Sequence, residues 1–176
     1  MNKNGFTLIE LLVVIAILAL LITLGSKGLR NARISAKKAQ AMVEMKSIET
    51  AVKSYVSKYG KLPVEFGSDL VFEDSDDSDS KENSKLIISI LTFDADAELA
   101  ENPAKMVFLD PQSSPSADGN FVDPWGKQYR IALDTDYDGE LVFGNETVRR
   151  KVAVASFGLY WLKGSISTND IVKSWR

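Results

Sequence analysis

Histidine and cysteine are both absent from this 176-residue chain, so any side-chain chemistry must rest on carboxylates, hydroxyls and amines. That removes the commonest general base and metal ligand, and with them disulfides and thiolate metal sites. No nucleophile–base pair and no phosphate-binding loop stands out. Three carboxylate groupings remain. Asp134-Thr135-Asp136-Tyr137-Asp138-Gly139-Glu140 alternates carboxylates and has glycine at the sixth place, as at the front of a calcium loop. Its twelfth place is Asn145, not a bidentate Glu, and a strand precedes it, not a helix, so a plain hairpin turn between Tyr129–Leu133 and Leu141–Phe143 is the favoured reading and calcium the alternative. Glu73-Asp74-Ser75-Asp76-Asp77-Ser78-Asp79-Ser80 is acidic and repetitive but lacks the glycine that bends a loop around an ion. The third grouping is a single residue, Glu10, in an apolar run.

Glu10 is the least expected of the three. Phe6 to Leu24 is about 19 residues, otherwise without a charge, enough as a helix to span most of a hydrocarbon core. An ionisable group in such a segment is costly and is by default a functional residue with a partner to be named. Its place near the helix start, where the dipole favours an anion, explains why it is tolerated but not why a leucine does not stand there. A cut between Gly5 and Phe6 would create an α-amine four residues before Glu10. The carboxylate and the ammonium would then neutralise each other, within one helix or between neighbours.

These residues need elements to carry them. After the apolar run, Ala32, Ala36, Ala39, Val43, Ile48, Val52, Tyr55, Val56 and Tyr59 recur at three- and four-residue steps, with Lys37, Lys38, Gln40, Glu44, Lys46, Glu49 and Lys53 mostly between them. No proline lies between Phe6 and Leu62, which predicts one helix of about 54 residues with Gly25 and Gly28 as its weak points, ended by Gly60 and Pro63. Residues 68–83 read as a solvated acidic loop. Ser84–Phe93 could be a short helix or a strand, with Ser84 as a cap and the polar residues 94–102 after it favouring the helix, and Met106–Leu109 reads as a short strand. Asp123-Pro124-Trp125-Gly126 suits a type I turn leading into a strand over Gln128–Leu133, with Trp125 covering the sheet. Val152–Gly158 reads as a buried strand.

Gly5-Phe6-Thr7-Leu8-Ile9-Glu10, with Lys3 in a short leader and an apolar continuation, resembles the N-terminal segment of type IV pilins and type II secretion pseudopilins. By that resemblance, prepilin peptidase cleaves after Gly5 on the cytoplasmic face and methylates the amine of Phe6, and Glu10 pairs with the Phe6 amine of an adjacent subunit during assembly. The implied fold is α+β and pilin-like: a long N-terminal helix, its first half in the membrane, packed on a small antiparallel sheet. The domain plan is then a leader at 1–5, a membrane and filament-core helix at 6–25, its amphipathic continuation at 26–60, and a globular head at 61–176. Asp123-Pro124-Trp125-Gly126, with Tyr129 beyond, is similar to the major pseudopilin, as are Ser156, Gly158, Asp170-Ile171 and Trp175. Leu159–Gly164 lacks the acidic residue of that family's calcium loop, so its calcium site is not carried over.

The resemblance implies a bacterial inner-membrane protein, single-pass, with a periplasmic C-terminal domain and, after assembly, a filament served by secretion or pilus machinery. Lys27, Arg30, Arg33, Lys37 and Lys38 follow the apolar run and by the positive-inside rule alone would place that side in the cytoplasm. The leader motif is the more specific signal and is followed here; the basic residues would then meet headgroups or neighbouring helices. A net charge of -3 argues against a nucleic-acid partner. The leading expectation is a structural filament subunit, not an enzyme and with no cofactor. The competing readings are a single-span anchored binding protein that does not polymerise and an anchored enzyme using Asp134, Asp136 and Asp138.

Overall fold

A computed structural model describes residues 6–64, 78–93, 102–110, 121–143, 146–163 and 170–175. The chain divides into two compact units, Met1–Lys37 and Lys38–Arg176. Helix α1 (Leu8–Tyr59) is 52 residues long and runs unbroken past Gly25 and Gly28. It ends as expected at Gly60, whose φ of 71° puts it in the left-handed region and whose N–H donates to the Val56 carbonyl at 2.8 Å. Glycine takes that conformation without a Cβ penalty, and Pro63 bars any further helical turn.

In the second unit, the C-terminal part of α1 buries Met45, Ile48, Val52 and Tyr55 in the main core. The stripe expected from Ala32 onward begins later: Ala32, Ala36, Ala39 and Val43 are exposed, and burial starts at Ala41. Helix α2 (Ser78–Thr92) supplies Ile87, Ile88, Ile90 and Leu91 to the same core. It begins six residues before the expected Ser84 cap and takes in the end of the expected 68–83 loop; residues 65–77 lie outside the described residues. Ser84 is instead buried inside the helix, where its hydroxyl accepts the Ile131 N–H at 3.0 Å. Met106–Leu109 forms no strand. The N–H groups of Phe108 and Leu109 donate to the Leu91 carbonyl at 2.8 and 3.0 Å, so this segment completes the end of α2.

Strands β1 (Arg130–Leu133), β4 (Val152–Ser156) and β5 (Val172–Lys173) form an antiparallel sheet in the order β1-β4-β5. Strands β2 (Leu141–Phe143) and β3 (Glu146–Val148) form a separate antiparallel hairpin. The register pairs Ile131 with Val154 and Leu133 with Val152, and all four side chains join the helix-side core. Ala132 and Ala153, also paired, point the other way onto Leu141 and Val148 of the hairpin. Both faces of the sheet are thus covered, which is why these strands read as continuous apolar runs. The architecture is the expected α+β, with a long N-terminal helix and small antiparallel sheets, consistent with a pilin-like fold.

The Asp134–Glu140 turn joins β1 to β2, which lie in different sheets, so the expected hairpin between them is not formed. β1 instead pairs with β4, and the β2–β3 hairpin is inserted between the two. Lys173 of β5 meets Glu146 of β3 at 2.7 Å and ties the two sheets at their far side.

Asp123 explains why two sequence motifs occur together. The expected turn is present, with the Gly126 N–H on the Asp123 carbonyl at 2.8 Å. The Asp123 side chain does more than start it. Oδ1 accepts the N–H groups of Trp125 and Lys127 at 3.0 and 2.9 Å; Oδ2 accepts the Ser156 hydroxyl and the Gly158 N–H at 2.6 and 2.9 Å. One buried carboxylate therefore joins the Asp-Pro-Trp-Gly turn to the end of β4 and the start of α3 (Gly158–Lys163). A Cβ at position 158 would lie 2.4 Å from Oδ2, so glycine is required there by space.

Candidate functional site

The first unit carries the processing and assembly residues expected from sequence. Gly5 lies outside the described residues; Phe6 and Glu10 are within them. Thr7 precedes α1 as its N-cap. Its Oγ1 accepts the Glu10 N–H at 3.3 Å, while the Thr7 N–H and hydroxyl donate to Glu10 Oε2 at 2.8 and 2.7 Å. This is a reciprocal capping box, two donors at the helix start satisfied by two side chains three residues apart. Sequence reading missed Thr7. The signal was present in Thr7-Leu8-Ile9-Glu10, which fits the Thr-x-x-Glu pattern of a helix start.

Around this cap the surface is apolar. The large hydrophobic side chains from Phe6 to Ile22 are 46–82% exposed and point to every side of the helix. Phe6, Ile9, Glu10, Val13 and Val14 line a shallow recess. Among the described residues no cation pairs with Glu10, and no helix is long and apolar enough to cross a membrane. The described apolar side chains of α1 run from Leu8 to Ile22, about 15 residues, whereas a hydrocarbon core calls for about 20. Thr23 and Leu24, the end of the apolar run, lie outside the described side chains. Arg30 and Arg33, beyond it, are exposed. Chemically, the segment offers one anion at the positive end of a helix dipole, embedded in surface that water disfavours.

Two further groups of acidic residues lie in the second unit. Glu44 and Glu49 are buried on α1, where sequence reading had them on the polar face. The Tyr129 hydroxyl donates to Glu44 Oε2 and Gln40 Nε2 donates to Oε1 at 2.9 Å; Lys46 Nζ reaches Glu49 Oε2 at 3.0 Å. Burial, followed by the Glu44 carboxylate beside it, pushes the Tyr129 phenol well above the usual range for tyrosine. These groups are inside the head and help to pack it, although among the described residues Glu49 Oε1 has no hydrogen-bond partner and meets only Arg150, 3.8 Å away. Asp134, Asp136 and Asp138, in contrast, are brought together as their spacing suggests, with one carboxylate oxygen of each within 4.8 Å of the others.

No curated protein and no solved structure matches the chain significantly. A family match does exist, and it falls on the segment just described without reaching the Asp123–Gly126 turn. Residues 1–26 match the prokaryotic N-terminal methylation motif, so the chain carries a type IV pilin-like prepilin signal.

Proposed function

We infer that this protein is a structural subunit of a type II secretion pseudopilus or a type IV pilus-like filament. Prepilin peptidase removes residues 1–5 and methylates the new Phe6 amine. The precursor waits in the bacterial inner membrane with its C-terminal domain on the periplasmic side. The apolar segment then leaves lipid for the filament interior, where Glu10 meets the Phe6 amine of a neighbouring copy. The observation that carries this reading is the methylation motif over residues 1–26, coinciding with a segment whose apolar side chains are uncovered on every side.

The test is the mass of the protein's N-terminus from a host that has the peptidase. Wild type should begin at a methylated Phe6, whereas Gly5→Val should keep Met1 and run as a slower band. A wild-type chain that keeps its leader, or a Gly5→Val chain cut as efficiently as wild type, would overturn the reading.

One observation favours a second reading, a single-span anchored binding protein that does not polymerise. Glu10 already has a use within its own chain, as the reciprocal partner of Thr7. The two readings separate on whether the charge of Glu10 or only its hydrogen-bonding capacity is needed.

A further inference from the structure

We propose that the loop between β1 and β2 is a calcium site, with Asp134, Asp136 and Asp138 as its carboxylate ligands. Their converging oxygens, within 4.8 Å of one another, are one part of the case. The other is the state of Asp134. This residue is only 1% exposed. Its Oδ2 accepts the Gly139 N–H at 3.1 Å, but its buried Oδ1 has no hydrogen-bond partner. A carboxylate oxygen shut away from water calls for a donor or a cation; Glu49 Oε1, likewise without a donor, has Arg150 at 3.8 Å, whereas Asp134 Oδ1 has no protein cation paired with it among the described residues.

Protein cations do not fill the role. Lys53, Arg150 and Lys151 line the same cleft as Asp134, but among the described residues none forms an ion pair with it. Arg150 is turned to Glu49, 3.8 Å from Oε1. Glu140 is paired with Arg149 at 3.1 Å, which leaves three carboxylates for the ion.

The chemistry selects the cation. An all-oxygen donor set suits a hard ion, and the chain has neither the histidine nor the cysteine that would favour a softer one. Ca2+ accepts irregular coordination completed by water and backbone carbonyls, whereas Mg2+ demands a near-ideal octahedron and holds its water. With three carboxylates and no bidentate closing residue, the affinity belongs with extracellular modules, at about 10⁻⁴ to 10⁻³ M. The ion would fasten the turn that joins the two sheets, beside the small core of Ala132, Leu141, Val148 and Ala153 between them. The proposal stands whether or not the chain assembles.

The competing account is a plain turn. Asp138 N–H donates to Asp136 Oδ1 at 3.1 Å and Glu140 N–H to Asp138 Oδ1 at 2.8 Å, bonds that hold a loop without any ion. Thermal unfolding of the full chain in detergent separates the two. Adding about 10 mM CaCl2 to EGTA-treated protein should raise Tm by roughly 3–5 °C, with a clearly smaller rise in MgCl2. Asp136→Asn/Asp138→Asn alters only exposed carboxylates, so it should keep the EGTA value of Tm and lose the calcium rise. Terbium luminescence excited through Tyr137, inside the loop, should appear with wild type, be displaced by Ca2+, and be absent from the double variant. A wild type unmoved by calcium, or a double variant that responds as wild type does, overturns the proposal.

Discussion

Glu44 and Tyr129 make the sharpest case at the scale of single residues. The two are far apart in sequence, one on the long helix and the other just before β1, and they meet inside the head with Tyr129 donating to Glu44 Oε2. Removing the hydroxyl in Tyr129→Phe should cost about 1–3 kcal/mol, because Glu44 Oε2 then loses the donor that it has in the interior. The cost should depend on pH in a definite sense. Unfolded tyrosine loses its proton near pH 10, whereas folded Tyr129 holds on to it, being buried and beside a carboxylate. Above pH 10 the folded state therefore binds more protons than the unfolded state, and stability falls as pH rises. The advantage of wild type over Tyr129→Phe should be constant from pH 7 to 9 and then shrink by up to about 1.4 kcal/mol per pH unit. Urea unfolding of both proteins across that range measures the gap, and a gap that stays flat beyond pH 10 would mean that the phenol titrates alike in both states.

The start of α1 poses the question for an element. Thr7 and Glu10 cap each other, and a capping box accepts Gln in place of Glu because either side chain can reach back to the N-cap N–H. Pairing with an ammonium needs the charge itself. Glu10→Gln should therefore leave processing and membrane insertion at wild-type levels while cutting the yield of sheared filaments by about tenfold or more. Wild-type yield from Glu10→Gln would give the residue to capping alone and favour the anchored, non-polymerising protein. Elements were legible in sequence where the deciding interaction was local. The end of α1 at Gly60, the Asp123–Gly126 turn and the apolar strand at Val152–Ser156 all follow from residue types within a few positions. What decided the remainder lay far along the chain. Glu44 is buried because Tyr129 waits for it, Ser84 is helical because Ile131 uses its hydroxyl, and β1 leaves β2 for β4 because Ile131 and Leu133 bury with Val152 and Val154 against the helices. At the candidate site, the apolar run and its lone carboxylate could be read directly, and Thr7 could have been.

At the scale of the whole molecule, the two units solve opposite problems. The unit from Lys38 onward encloses most of its described large apolar residues, with the α1 contribution beginning at Ala41. Among the described residues, the unit before it buries none of its large ones: every such side chain from Phe6 to Ile22 is at least 46% exposed. Contiguous apolar surface of that kind marks a membrane or an assembly contact. Covering one such side chain is worth roughly 1.5–3 kcal/mol, so more than a dozen in succession outweigh the cost of association by a wide margin. The head needs none of this to fold. A fragment spanning Lys38–Arg176 should therefore be monomeric without detergent and should unfold within a few degrees of the full chain's Tm. The full chain without detergent should be found only in large assemblies. Sedimentation of both proteins, with circular dichroism followed on heating, makes the comparison. If the fragment unfolded far below the full chain, the N-terminal helix would have to stabilise the head as well as mediate assembly. A full chain that sedimented as a monomer in plain buffer would instead require the exposed side chains to be covered within a single copy, and that would remove the physical basis for a filament.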